Sequence, residues 1–183
     1  MKSKPVFSKA VKKKKPWKGF RDPFKKKAAS KKKRYYQGRF QPKHPEKYRG
    51  DPTRIEYRSR YELVYMTHLD RSENIVEWSS ESTVLWYISP KDNLGHRYFV
   101  DMTVKKREKD GTLQTYLIEI KPMKQVMAPT KPPVMNKQKE RRYLNEVLTW
   151  GVNQAKWNAA RKYCQENGYK FVVITEKELK LKF

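Results

Sequence analysis

Between His96 and Pro122 the chain reads HRYFVDMTVKKREKDGTLQTYLIEIKP. Asp101 stands between Val100 and Met102, and Glu119 and Lys121 flank Ile120 in an otherwise aliphatic run. Charges in such strand-like segments are costly to bury unless they are paired or bound to a metal. The turn between the two runs sets how they meet. Lys109-Asp110-Gly111 suits a three-residue hairpin loop, with Gly111 in the left-handed position such loops need. With Glu108 and Thr112 flanking that loop, Asp101 falls opposite Glu119. A two-residue Asp110-Gly111 turn would instead set Asp101 against Ile120 and would need a bulge to restore the cluster. Alternation along the strand puts Lys121 on the face of Glu119, and Ile118 and Ile120 on the other.

Two carboxylates one strand apart repel unless a cation neutralises them. An all-oxygen donor set selects Mg2+, with Mn2+ as its substitute, over zinc. A neighbouring lysine orients the attacking water and offsets phosphate charge. On a basic protein, that constellation describes metal-assisted hydrolysis of a phosphodiester. Spacing alone leaves a plainer alternative open, a cross-strand Asp101–Lys121 salt bridge with Glu119 solvated at a sheet edge.

The elements that must position these residues follow from the rest of the pattern. From Thr53, TRIEYRSRYELVYMTHLDRS reads as an amphipathic helix of about 15 residues, capped by Asp51 or Thr53, with Ile55, Tyr61, Val64, Tyr65 and His68 on one stripe. IVEWSS, STVLWYIS, RYFVDMTVKK and TYLIEIK read as strands. APTKPPV is a breaker-rich loop. NKQKERRYLNEVLTW and VNQAKWNAARKYCQEN read as two helices, the second closed by Gly168, and YKFVVITE as a buried strand. That order predicts an α/β sandwich with a mixed sheet flanked by helices.

The charge is uneven. The 183 residues carry 44 Lys+Arg and 19 Asp+Glu, a net charge of +25, and residues 1–49 hold 20 of the basic and 2 of the acidic ones. Residues 1–37 therefore read as a basic, largely disordered arm, 38–52 as an extended, proline-punctuated lead-in, and 53–183 as the folded domain. A polycation of this kind favours nucleic acid through counterion release. Candidate phosphate contacts in the arm are Lys12, Lys13, Lys14, Lys15, Lys25, Lys26, Lys27, Lys31, Lys32, Lys33 and Arg34. The aromatics between them suit either bases or a protein groove. A single cysteine, Cys164, excludes an internal disulfide and thiolate-paired zinc. The sequence has neither a membrane-length apolar run nor an apolar leader core, so cytoplasmic assembly is expected.

Asp101, then Glu119-Ile120-Lys121, preceded by the helical YRSRYE with Glu62, resembles the PD-(D/E)xK nuclease superfamily. Further motifs in order (GRFQPKHPEKYRGD, YRSRYE, WSSES, YISP, HRYFVD, YLIEIKP and NGYKFVVITEKEL) resemble the head completion nucleases of T-even-like tailed bacteriophages across residues 38–183. YRSRYE, AKWNAARKYCQENGYKF and ITEKEL are more distantly similar to TnsA-type transposon endonucleases. The resemblance implies a restriction-endonuclease-like fold. It implies a Mg2+-dependent deoxyribonuclease with Asp101 and Glu119 as metal ligands, Lys121 as the catalytic lysine, the Ile120 carbonyl as a further ligand, and Glu62 completing the metal or water site. One departure is plain: the proline usual before the aspartate is Val100 here. The implied setting is phage assembly in the host cytoplasm and then the virion's head–tail connector, trimming packaged DNA at the portal so that the neck and tail join. The implied partners are double-stranded DNA and portal, neck or capsid proteins, with no membrane and no small-molecule cofactor.

Two alternatives accompany that expectation. One is a non-enzymatic DNA-binding neck or capsid component; the other is a junction-resolving or transposon-end endonuclease. Among lesser candidates, Arg58 and Arg60 suit phosphate contacts, or Arg58 pairs with Glu62 at helical spacing. Gln154 and Lys156 suit auxiliary roles facing the catalytic strands. His96 reads as a strand-end surface residue, and Trp150, Trp157, Tyr163 and Cys164 as core.

Overall fold

In the computed structural model the described residues are 36–179. Residues 1–35 of the basic arm, and with them the eleven candidate phosphate contacts from Lys12 to Arg34, lie outside that range.

Four strands form the main sheet in the order β3-β6-β7-β8, where β3 is Ile75–Ser80, β6 Met102–Arg107, β7 Leu113–Ile120 and β8 Lys170–Ile174. The first three are antiparallel neighbours, and β8 joins parallel to β7, so the sheet is mixed as expected. Alternation sorts each strand's side chains between two cores. Ile118 and Ile120 of β7 pack with Met102, Val104 and Trp78 against Met66 and Leu69 of α1, Arg60–Arg71. Leu117, on the opposite face, packs with Ala160 and Cys164 of α3, Lys137–Asn167. Helices thus cover both faces of the sheet, the α/β sandwich that the element order predicted.

Four expectations are revised. The first helix begins at Arg60 rather than near Thr53, because Ser59 and Glu62 form a capping box. Ser59 Oγ accepts from Glu62 N at 3.1 Å and donates to Glu62 Oε1 at 2.9 Å. The expected stripe shifts with it: Ile55 is buried ahead of the helix, His68 is exposed, and Met66, Leu69 and Asp70 face inward. The run RYFVDMTVKK is not one strand. Its first half, β5 (Gly95–Phe99), pairs with β4 (Val84–Ile88) as a separate two-stranded ribbon, and its second half is β6. The chain crosses between the two sheets at Val100 and Asp101, where Val100 N donates to Thr83 O and Asp101 O accepts from Glu81 N.

The two helices expected around residue 150 are a single helix of 31 residues, capped by the Asn136 side chain and ended by Gly168 at φ 68°. Gly151 does not break it, since one helical glycine costs only about 1 kcal/mol relative to alanine; Pro90 stands 3.6 Å from where a Cβ would be, an ordinary van der Waals distance. Strand β8 is at the sheet edge and only half-buried, although its apolar run suggested full burial.

The lead-in is docked. Its first residues, β1 (Gly38–Arg39), pair with β2 (Glu56–Tyr57), and Phe40 and Tyr48 pack edge-on against Trp78. Buried Asp70 accepts from the backbone N–H groups of Lys43 and His44, both at 2.9 Å. A short helix α2, Met123–Val126, follows β7. Among the described residues no helix is long and apolar enough to cross a membrane.

Candidate active site

The hairpin joining β6 and β7 has the three-residue loop that its sequence predicted. Glu108 N donates to Thr112 O, Gly111 adopts φ 86°, and Met102 pairs with Ile118. One position further on, this register sets Asp101 beside Glu119. Asp101 Oδ2 accepts the Ile120 N–H at 2.8 Å, which fastens the carboxylate to the end of β7. Lys121 Nζ lies 2.9 Å from Glu119 Oε1 and 3.6 Å from Asp101 Oδ2. The three charges expected on one face are therefore in contact. Glu119 is not the solvated edge residue of the plainer alternative: it is 2% exposed.

Burying two carboxylates together has an electrostatic consequence. Burial pushes the Asp101 carboxyl up to about 7, Glu119's charge adds to the rise, and Lys121 and the Ile120 N–H offset only part of it. For Lys121, burial opposes the charge, but Asp101 and Glu119 outweigh it and hold the ammonium above its ordinary value. With both carboxyls ionised the cluster carries two negative charges and one positive, an excess that a proton on Asp101 relieves.

These residues open into a cleft of about 350 Å³ lined also by Arg58, Glu81, Arg97, Tyr98, Phe99 and Lys156. Of the auxiliary candidates, Lys156 and Arg58 reach this lining, and Arg60, Gln154 and Glu62 do not. Lys156 Nζ stands over the rings of Tyr98 and Tyr87 at 5.5 and 5.7 Å, a cation beside the carboxylates without taking one as its partner. Arg58 precedes α1, and its guanidinium grips Glu81, with Nη2 3.0 Å from Oε2. Its backbone N–H, not its side chain, meets Glu62 Oε2, at 2.7 Å. Glu62 is thus spent on the helix cap, although it lies near enough to Asp101 to raise that carboxyl further. His96 is a surface residue whose Nε2 lies 2.9 Å from Asp92 Oδ2, while Trp157 and Cys164 are core.

Tyr98 is the site residue that sequence reasoning did not single out. Its hydroxyl donates to Glu119 Oε2 at 2.6 Å from a ring that is 3% exposed. Burial and the glutamate's charge raise its pKa, so it remains a donor. The only signal was its place in HRYFVD, two residues before a strand that changes sheets. Tyr98→Phe is expected to fold and to bind DNA like the parent, but to slow turnover about 10- to 150-fold, since a buried charged acceptor loses a donor worth roughly 1.5–3 kcal/mol. Single-turnover cleavage beside DNA binding checks this; unchanged turnover would make the hydroxyl merely structural.

Among the described residues no three His, Cys, Asp or Glu side chains converge on one point. An ion here would rest on two carboxylates, completed by backbone and solvent oxygens.

Residues 72–176 match the family model described as the TnsA-like endonuclease N-terminal domain. The chain is also similar to the head completion nuclease of Enterobacteria phage T4, with 39% identity over 145 residues, covering 79% of this chain and 94% of that protein.

Proposed function

Since the chain belongs to the TnsA-like endonuclease family, we propose that it is a DNA nuclease of phage assembly that hydrolyses phosphodiesters in the Asp101–Glu119–Lys121 cleft. One observation carries the reading. Two carboxylates, Glu119 fully buried, share a single lysine at the mouth of a cleft that also holds Lys156. As a purely structural ion pair the arrangement is poor, because it buries more negative than positive charge.

The same imbalance fits a divalent cation. Asp101 and Glu119 would hold Mg2+, or Mn2+ in its place, with the Ile120 carbonyl as a further oxygen ligand. Glu62 would reach the ion through a bridging water, since a carboxylate engaged in two hydrogen bonds keeps lone pairs to spare. When bound, the ion supplies a lowered pKa for the attacking water and charge stabilisation at the leaving 3′ oxygen. The protein's own groups do the rest. Lys121 orients the water and offsets phosphate charge, Tyr98 holds Glu119 in place, and Lys156 draws the scissile phosphate into the cleft.

The relative's name assigns that protein to head completion. For this chain we extend the role to trimming DNA at the portal after packaging, so that the neck and tail can join. Its partners would then be double-stranded DNA and portal, neck or capsid proteins. It would act in the host cytoplasm during assembly and remain at the virion's head–tail connector.

Purified protein incubated with supercoiled and linear DNA is expected to nick or degrade it in Mg2+ and Mn2+, and to leave it intact in EDTA while still binding it. Binding without cleavage in any divalent metal would overturn the enzymatic reading.

A further inference from the structure

The β4–β5 ribbon has an outer face that the catalytic scheme leaves unused. Its inner positions, Leu85 and Tyr98, are buried in the core that α3 covers. Its outer positions are apolar and bare: Trp86 is 69% exposed, Ile88 64% and Phe99 45%. Exposed apolar faces of this kind mark interaction sites.

Its position indicates what the face meets. Phe99 and Arg97 belong to the ribbon and also line the cleft of Asp101, Glu119 and Lys121. Trp86 is the cross-strand partner of Arg97, and Val84 that of Phe99. Phe99 lies two residues from Asp101 at the ribbon side of the crossing, and Trp86 is its diagonal cross-strand neighbour, roughly 7–8 Å away or about two base steps, so a DNA strand seated at Asp101 can continue across Phe99 and then Trp86. The Arg97 guanidinium sits 5.6 Å from the Phe99 ring centre and gives the face its cation. The Trp86 ring leans over Gly95, with Cε3 3.8 Å from where a Cβ would stand, so it lies along the ribbon's outer face.

The chemistry selects the occupant. Apart from Arg97, the outer face of the ribbon has little to offer phosphates, but it presents two aromatic planes and branched aliphatics. Intact duplex DNA turns base edges outward and keeps base faces stacked, whereas unpaired bases offer faces for aromatic stacking. We propose that the outer face of the ribbon, through Trp86 and Phe99 with Arg97, stacks unpaired bases next to the scissile phosphate, and that the substrate class is DNA with frayed, forked or single-stranded segments. This inference rests on the nuclease reading for its link to cleavage, but not for the stacking itself.

The test uses the full chain at one fixed salt concentration, with wild type, Trp86→Ala, Trp86→Phe and Phe99→Ala. The substrates are a fully paired duplex and the same duplex carrying a short unpaired fork with 2-aminopurine at the junction. Single-turnover cleavage in Mg2+ and fluorescence-monitored binding in EDTA are read together, and thermal melting confirms that these exposed substitutions leave the fold intact. Wild type is expected to prefer the fork. Trp86→Ala is expected to lose about tenfold or more in fork affinity and cleavage, with the duplex little changed, and Trp86→Phe to recover most of the loss. Equal behaviour of Trp86→Ala and wild type on both substrates overturns the proposal, as would a wild type indifferent to the fork, and a protein partner would then be the occupant of the face. If wild type cleaves nothing while Trp86→Ala still loses fork binding, stacking stands and the nuclease reading falls. Cleavage that ignores Trp86 has the opposite meaning.

Discussion

Alanine at Asp101, Glu119 or Lys121 is expected to lower single-turnover DNA cleavage by at least about 10²–10³-fold, the usual cost of removing one preorganised charge-stabilising group. DNA affinity should stay within a few-fold of the parent. A chain of net charge +25 would owe DNA binding mainly to phosphate neutralisation, which is spread over many cations. The three variants should nonetheless differ. Asp101→Ala and Glu119→Ala each remove one of two crowded anions and leave Lys121 with the other. Lys121→Ala removes the one cation that, among the described residues, contacts both, leaving the buried Glu119 with its Tyr98 hydrogen bond, so it should also lower the melting temperature. Because these effects act on one unit, a double variant should cost little more than the worst single one. Wild-type cleavage rates in all three variants would place the chemistry elsewhere in the molecule.

A second expectation concerns stability and runs opposite to activity. Asp101→Asn should abolish cleavage yet stabilise the metal-free protein by up to about 4 kcal/mol at pH 8, the linkage value of a carboxyl raised from its ordinary 3.8 to about 7. The sign follows from proton uptake. Between those two values the folded wild type binds a proton that the unfolded chain has released, so its stability falls as pH rises through this window. Asparagine carries no charge to repel Glu119 and keeps an acceptor for the Ile120 N–H. The gain should therefore be full above pH 7 and vanish near pH 4. Denaturant midpoints in EDTA across pH 4–8 measure it, and a constant difference, or a destabilised variant, would contradict the electrostatic account. Saturating Mg2+ should close the gap by stabilising the wild type selectively, since only its folded site gains a ligand.

What was legible in the sequence was local. The β6–β7 hairpin needed only the chemistry of Lys109-Asp110-Gly111 and a strand period of two, and together these placed Asp101, Glu119 and Lys121 on one face. The mixed sheet followed from the alternation of strand and helix patterns, and the end of α3 from Gly168. Boundaries set by competing local signals were read less well. The capping box of Ser59 and Glu62 outweighed Asp51 and Thr53 as the start of α1, and a glycine that resembled a break at residue 151 sits inside a continuous helix because a single helical glycine costs only about 1 kcal/mol.

Other features depended on distant segments. That RYFVDMTVKK divides between two sheets is decided by the Thr83 carbonyl and the Glu81 amide, which engage Val100 and Asp101 at the crossing. That crossing turns Tyr98 inward to Glu119, aligns Arg97 and Phe99 with the cleft, and leaves Trp86 facing solvent. Lys156 reaches the same cleft from a helix that begins 16 residues after β7 ends. By itself, then, the sequence determined which side chains can share one strand pair and one face of it, because alternation and turn chemistry act over a few residues. Tertiary structure alone decided what surrounds them, because burial, charge crowding and the exposed ribbon face arise from segments that meet only when the sheet, the ribbon and α3 close on one another.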